Sequence, residues 1–127
     1  MKKIILTALL LICSAATAYS TPQENPLARE NVANLSQTIQ YSDQGFAKKP
    51  VFKGATYDIL LFAFQKGQQL PAHTISLDAF ILVLEGNATV IIDGKEYEVA
   101  AGEKISLPKN LSHALTAKEN FKMLLVK

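Results

Sequence analysis

Short β-favouring segments separated by turn-forming residues extend from Val51 to Lys127, and this pattern restricts the fold more than any other feature of the sequence. No helical pattern lies between the segments. Short strands with turns at regular intervals predict an all-β sandwich or barrel. The segments are TYDILLFAF, AFILVL, ATVII, KEYEV, KISL, SHALTA and FKMLLV.

The strongest turn signal in this region is Asp93-Gly94, between ATVII and KEYEV. Both residue types tolerate the positive φ angles of a two-residue hairpin turn. In KEYEV, Tyr97 and Val99 share one face of the predicted strand because side chains alternate along a strand. The sequence therefore predicts a tight hairpin at this point.

The N-terminal 18 residues have the order of a signal peptide. Lys2 and Lys3 precede an apolar run at positions 4–12, and Ala16-Thr17-Ala18 supplies the small residues of a cleavage site. The run is shorter than the about 20 residues that span a bilayer. We expect cleavage after Ala18, a periplasmic or secreted protein, and no membrane association of the mature chain.

Three segments follow from these boundaries: a signal peptide at 1–18, a leader and arm at 19–50, and a β domain at 51–127. The only cysteine, Cys13, lies in the signal, so the mature fold has no disulfide. The mature chain has 11 basic and 11 acidic residues. A balanced charge without a basic stripe argues against nucleic-acid binding.

The arm has only a partial helical period, and a short helix or an irregular segment that covers one end of the fold is expected there. We interpret Lys48-Lys49-Pro50 as a solvated turn and Glu85 as an exposed turn residue. Neither is expected to take part in binding.

Two motifs carry a resemblance to a known family. In the first, Gly67 precedes His73, and FILVLEG forms an apolar strand that ends at Gly86. In the second, Gly102 is followed by a short strand and then by Pro108 and His113. In these features residues 51–127 resemble the cupin superfamily, specifically its small single-domain members. The resemblance implies a jelly-roll β-barrel, a small-molecule ligand in its interior, and a homodimer as one arrangement that such proteins adopt.

The resemblance also implies a four-ligand metal site, of which this chain keeps half. His73 matches the first ligand and His113 the last, while Ile75 and Ala79 occupy the positions of the second histidine and the glutamate. A divalent transition metal (zinc, manganese, iron, nickel or copper) would therefore meet an incomplete set of ligands. Asp78 should point away from the side of residue 79, because strand side chains alternate.

Ile75 shares a strand face with His73, and Leu115 shares one with His113, so these four residues are the expected lining of a ligand pocket. Three interpretations stay open. The histidines hold a metal that other groups complete, they line a metal-free pocket that binds a polar molecule, or they are packed remnants of a lost site. An enzyme would be an isomerase, lyase or oxygenase on a small polar substrate. The alternative is a non-enzymatic binding or structural protein.

Overall fold

Nine antiparallel strands account for most of residues 32–127, the part of the chain that the structure, a computed structural model, describes. β1, β2, β9, β4 and β7 form a five-stranded sheet in that order, and β3, β8, β5 and β6 form a four-stranded sheet. The strands are β1 (Ala47–Lys53), β2 (Asp58–Phe64), β3 (Gln69–His73), β4 (Ala79–Glu85), β5 (Asn87–Ile92), β6 (Lys95–Ala100), β7 (Lys104–Leu107), β8 (His113–Ala117) and β9 (Phe121–Val126).

The main core lies between the two sheets and is built from alternate residues of the strands. Phe62 and Phe64 of β2 face inward, and Phe121 of β9 packs on Phe64 with ring centroids 5.9 Å apart. Burying a side chain of this size stabilises the fold by about 1.5–3 kcal/mol. The predicted all-β jelly-roll fold is confirmed.

The predicted hairpin at Asp93-Gly94 is also confirmed. Asp93 has φ of 49° and Gly94 has φ of 80°, and the two residues connect β5 directly to β6. Within β6, Val99 is buried while Tyr97, on the same face, is exposed.

Two strands, β1 and β3, were not predicted from the sequence. Lys48-Lys49-Pro50 was interpreted as a turn, but it lies in β1, which begins at Ala47 and pairs with β2. Pro50 is compatible with this edge strand because a strand at the edge of a sheet has backbone N–H groups without partners. β3, at Gln69–His73, is short and largely exposed, so it has no apolar alternation to identify it.

The arm is mostly irregular, with one 3-10 helix at Leu35–Gln37. It packs on the outer face of the five-stranded sheet rather than at one end of the fold, and Ile39 is buried there against β2. The Nζ of Lys122, which is 7% exposed, donates to the carbonyl oxygen of Ser36. A hydrophobic contact and a buried amine together hold the arm on the sheet.

The interpretation of Glu85 as an exposed turn residue is wrong. Glu85 ends β4, accepts a hydrogen bond of 2.9 Å from the Tyr41 hydroxyl and lies 3.7 Å from the Nζ of Lys122. The Lys122 amine also lies 4.8 Å from the centre of the Tyr41 ring. Burial, followed by the hydrogen bond and the charge of Glu85, raises the pKa of Tyr41 above its ordinary value.

The predicted signal peptide at 1–18 and the first part of the leader, residues 19–31, lie outside the described residues. Within the described part of the chain, no helix has the length and apolar character that crossing a membrane requires. Residues Ala33 to Lys127 form one compact unit.

Candidate functional site

His73 and His113, 40 positions apart in sequence, are in contact. β3 and β8 pair antiparallel in a register that sets His73 directly opposite His113, after an irregularity between Leu70 and His73. The ring centroids are 4.3 Å apart and the rings are inclined by 66° in an edge-to-face arrangement. His113 is 5% exposed, whereas His73 is exposed at the opening of the site.

Both rings make the same local hydrogen bond. The Nδ1 of His73 lies 2.9 Å from the carbonyl oxygen of Pro71, and the Nδ1 of His113 lies 3.3 Å from that of Leu111. A carbonyl oxygen only accepts, so each Nδ1 carries the hydrogen. In the neutral rings both Nε2 atoms are therefore acceptors that remain for a ligand.

Burial favours the neutral form of His113. Desolvation, together with the charge of His73, lowers the pKa of His113 below its ordinary value. The hydrogen bond to the Leu111 carbonyl opposes this shift only in part. The buried ring thus provides a lone pair on Nε2 at neutral pH, which suits it to accept a hydrogen bond or a proton.

The two rings border a cavity of about 200 Å³ between the sheets. This volume is below the roughly 300–1,000 Å³ of sites for drug-sized ligands, so it suits a small molecule. Ile75, which follows the end of β3, lines the cavity, whereas Leu115 packs in the core beside it and is not a lining residue. The other lining residues are Phe46, Lys48, Leu60, Phe62, Leu70, Ile81, Leu107, Met123, Leu125 and Lys127.

The charged side chains of this lining are all basic. Lys48 and Lys127 join the two histidines, and no aspartate or glutamate is among the lining residues. Asp78 lies just before β4 and is not a lining residue, and its Oδ1 accepts a 2.9 Å hydrogen bond from the Lys109 backbone N–H. The cavity is therefore apolar with a basic opening.

The residues present do not fit the metal site that the family resemblance implies. Among residues 32–127, no group of three or more histidine, cysteine or carboxylate side chains converges to hold an ion. Ile75 and Ala79 supply no donor atoms, and Ala79 is buried in the core. A catalytic zinc ion normally has three protein ligands, and the lysines of this cavity would repel a cation.

Sequence reasoning missed most of the lining, for two different reasons. Leu60 and Phe62 on β2, with Met123 and Leu125 on β9, follow the alternation of their strands and could have been assigned to the interior. Lys48 gave no such signal, because only its pairing with Phe62 shows which face it occupies.

A larger depression of about 740 Å³ lies near Tyr57, Phe80 and Lys104. It is more open to solvent than the histidine cavity and contains no histidine. We assign the candidate site to the smaller cavity, because enclosure and convergent polar atoms are what hold a small ligand.

Comparisons with known proteins agree with this architecture. The family model described as "Cupin domain" matches residues 60–127. A conserved protein of unknown function from Streptococcus pyogenes is 34% identical over 75% of this chain and 83% of that chain, with a TM-score of 0.70. Comparison with curated proteins gave no match.

Two further solved structures are similar to this chain. An RmlC-like cupin protein from Desulfovibrio desulfuricans is 28% identical over 75% of this chain and 92% of its own, with a TM-score of 0.69. A cupin superfamily protein from Desulfitobacterium hafniense is 24% identical over 84% of this chain and 92% of its own, with a TM-score of 0.71. The latter likeness concerns the fold alone.

Proposed function

The chain belongs to the cupin family, and we propose that its barrel cavity binds a small polar ligand through His73 and His113 without a resident metal ion. The cupin fold supports small-ligand binding in general terms. The proposal adds the site, the two residues that contact the ligand, and the absence of a metal from the binding step.

The observation that carries the proposal is the arrangement of the two rings. Each Nδ1 is held by a backbone carbonyl, and the rings contact each other beside an apolar cavity. Apolar walls with a few convergent polar atoms are the usual composition of a small-molecule site.

The rings also allow proton transfer. A neutral imidazole whose Nδ1–H is fixed by a carbonyl can take a proton from a ligand at Nε2. The lowered pKa of His113 keeps its Nε2 in the accepting form at neutral pH. We assign the site to binding, with proton transfer as the chemistry that these residues would supply to a reactive ligand.

The test uses the imidazole NMR signals of 15N-histidine-labelled protein. The chain has two histidines, so the spectrum contains two rings, which single substitutions assign. The purified protein is screened against polar fragments of up to about ten non-hydrogen atoms, and separately against Zn²⁺, Mn²⁺ and Ni²⁺. We expect fragments that shift both rings and no metal ion that binds stoichiometrically.

The control variant is His113→Asn. Asparagine can replace the Nδ1–H donor to the Leu111 carbonyl but has no atom equivalent to Nε2. This variant should fold normally and lose fragment binding. Stoichiometric metal binding that disappears in His73→Ala and in His113→Asn would overturn the metal-free assignment, and a screen without any hit would favour a remnant site.

A further inference from the structure

The cavity contains an arrangement of charge that restricts its ligand further. We infer that the ligand is a small hydroxy acid with an apolar body, whose carboxylate contacts Lys48 and whose hydroxyl donates to a histidine Nε2. This inference rests on the proposed function and names the chemical class that the same site would take.

Register places Lys48 on the cavity side of β1. Lys48 pairs directly with Phe62, and side chains of directly opposite residues lie on the same face of a sheet. Phe62 belongs to the inner core, so the Lys48 side chain projects from the inner face as well. Phe46, two residues earlier, confirms this orientation because its ring lies 5.9 Å from that of Phe62.

The neighbouring lysine provides a built-in contrast. Lys49 pairs with Leu61, which is buried on the outer face, and its Nζ donates to the carbonyl oxygen of Thr38 at 3.4 Å. The side chains of these two adjacent lysines thus lie on opposite faces of β1. Of these two lysines, only Lys48 lines the cavity.

The charges around Lys48 leave it suited to an anion. Among the described residues, neither Lys48 nor Lys127 forms a salt bridge. The nearest acidic position on this face of β2 is Asp58, which is not a lining residue. Asp58 pairs with Lys53 across the sheet and exchanges backbone hydrogen bonds with Lys127, so lysines flank it on both sides.

The remaining polar atoms of the cavity wall, the two histidine Nε2 atoms, would be satisfied by a hydrogen-bond donor on the ligand. With both Nδ1 hydrogens directed at carbonyls, the neutral histidines offer acceptors at Nε2. A carboxylate alone would leave these acceptors without partners, and a hydroxyl group satisfies one of them. The rest of the lining is aliphatic or aromatic, which suits an apolar body and disfavours a phosphate that needs many donors.

Three probes of nearly equal size separate these features: 4-hydroxybenzoate carries both groups, benzoate lacks the hydroxyl, and 4-hydroxybenzamide lacks the charge. Binding is measured at pH 8 by the histidine ring signals. At that pH the lowered pKa of His113 keeps its imidazole neutral, so its Nε2 is an acceptor. We expect 4-hydroxybenzoate to bind most tightly of the three.

Variants then assign each feature to a residue. Lys48→Met should weaken the binding of 4-hydroxybenzoate roughly two- to fivefold, the scale of one partly exposed charged contact, and leave the binding of 4-hydroxybenzamide unchanged. Lys49→Met removes the same charge from the outer face and should change the binding of neither probe. His113→Asn should weaken the binding of both hydroxylated probes more than the binding of benzoate.

The outcomes distinguish this inference from the proposed function. If 4-hydroxybenzamide binds as tightly as 4-hydroxybenzoate, or if Lys48→Met affects both equally, the cavity remains a binding site and the hydroxy-acid assignment is overturned. If benzoate binds as tightly as 4-hydroxybenzoate, the role of the histidine acceptors is overturned. If none of the probes shifts either ring, both the assignment and binding of ligands of this size at the histidines fail.

Discussion

Replacing Gly86 with alanine should destabilise the fold far more than an unfavourable φ angle alone explains. Gly86 connects β4 to β5 with φ of +71°. A Cβ there would lie far inside van der Waals contact of the Asn120 carbonyl oxygen, 3.0 Å from its carbonyl carbon and 3.2 Å from the Cα of Phe121. These are backbone atoms at the start of β9, which is hydrogen-bonded between β2 and β4 and has little room to move.

Two costs add at this position. The left-handed conformation costs a non-glycine residue about 1–2 kcal/mol. Displacing a packed backbone costs about 1–3 kcal/mol more, the range measured for overpacked sites. Gly86→Ala should therefore lower the free energy of unfolding by about 2–5 kcal/mol.

Gly102 is the matched control. Its φ is +86°, and a Cβ built there meets nothing within 4 Å. Gly102→Ala should accordingly cost only the conformational part, about 1–2 kcal/mol. Urea unfolding followed by circular dichroism gives both free energies, and equal losses for the two variants would refute the steric argument.

Three further predictions concern other parts of the chain. Burial lowers the pKa of His113, so the unfolded chain binds more protons than the folded one as pH falls through about 6.5, and the free energy of unfolding should decrease there. Urea titrations at several pH values should show a smaller decrease for His113→Asn. Lys122→Met should lower the free energy of unfolding by about 1–3 kcal/mol because it removes a buried amine from its partners. Lys118→Met, at an exposed ion pair, should lower it by under about 1 kcal/mol, and equal losses in thermal unfolding would contradict this. N-terminal sequencing of exported protein should begin at Tyr19, and a start at Met1 would refute the signal peptide.

Local signals in the sequence predicted most of the strands correctly. KISL corresponds to β7 without a change of boundary, and the positive φ angles at Asp93 and Gly94 follow from the turn chemistry of those two residues. Each of these predictions needed only residues that are neighbours in the chain.

The errors concern residues whose environment is made by distant segments. Glu85 has the local sequence of a turn, but Tyr41 and Lys122 approach it from the arm and from β9. Lys48 and Pro50 have no strand propensity of their own, and pairing with β2 makes them part of β1. Propensity is a weak guide where tertiary pairing supplies the hydrogen bonds.

The sequence by itself determined the fold class, the main hairpin and the two histidines as candidate residues, because turn chemistry and side-chain alternation are local properties. The tertiary structure alone decided that the two rings meet and that Lys48 lines their cavity while Lys49 does not. Those facts depend on register between strands far apart in the chain, and a shift of one residue in register exchanges the two faces of a strand. No short window of sequence contains that information.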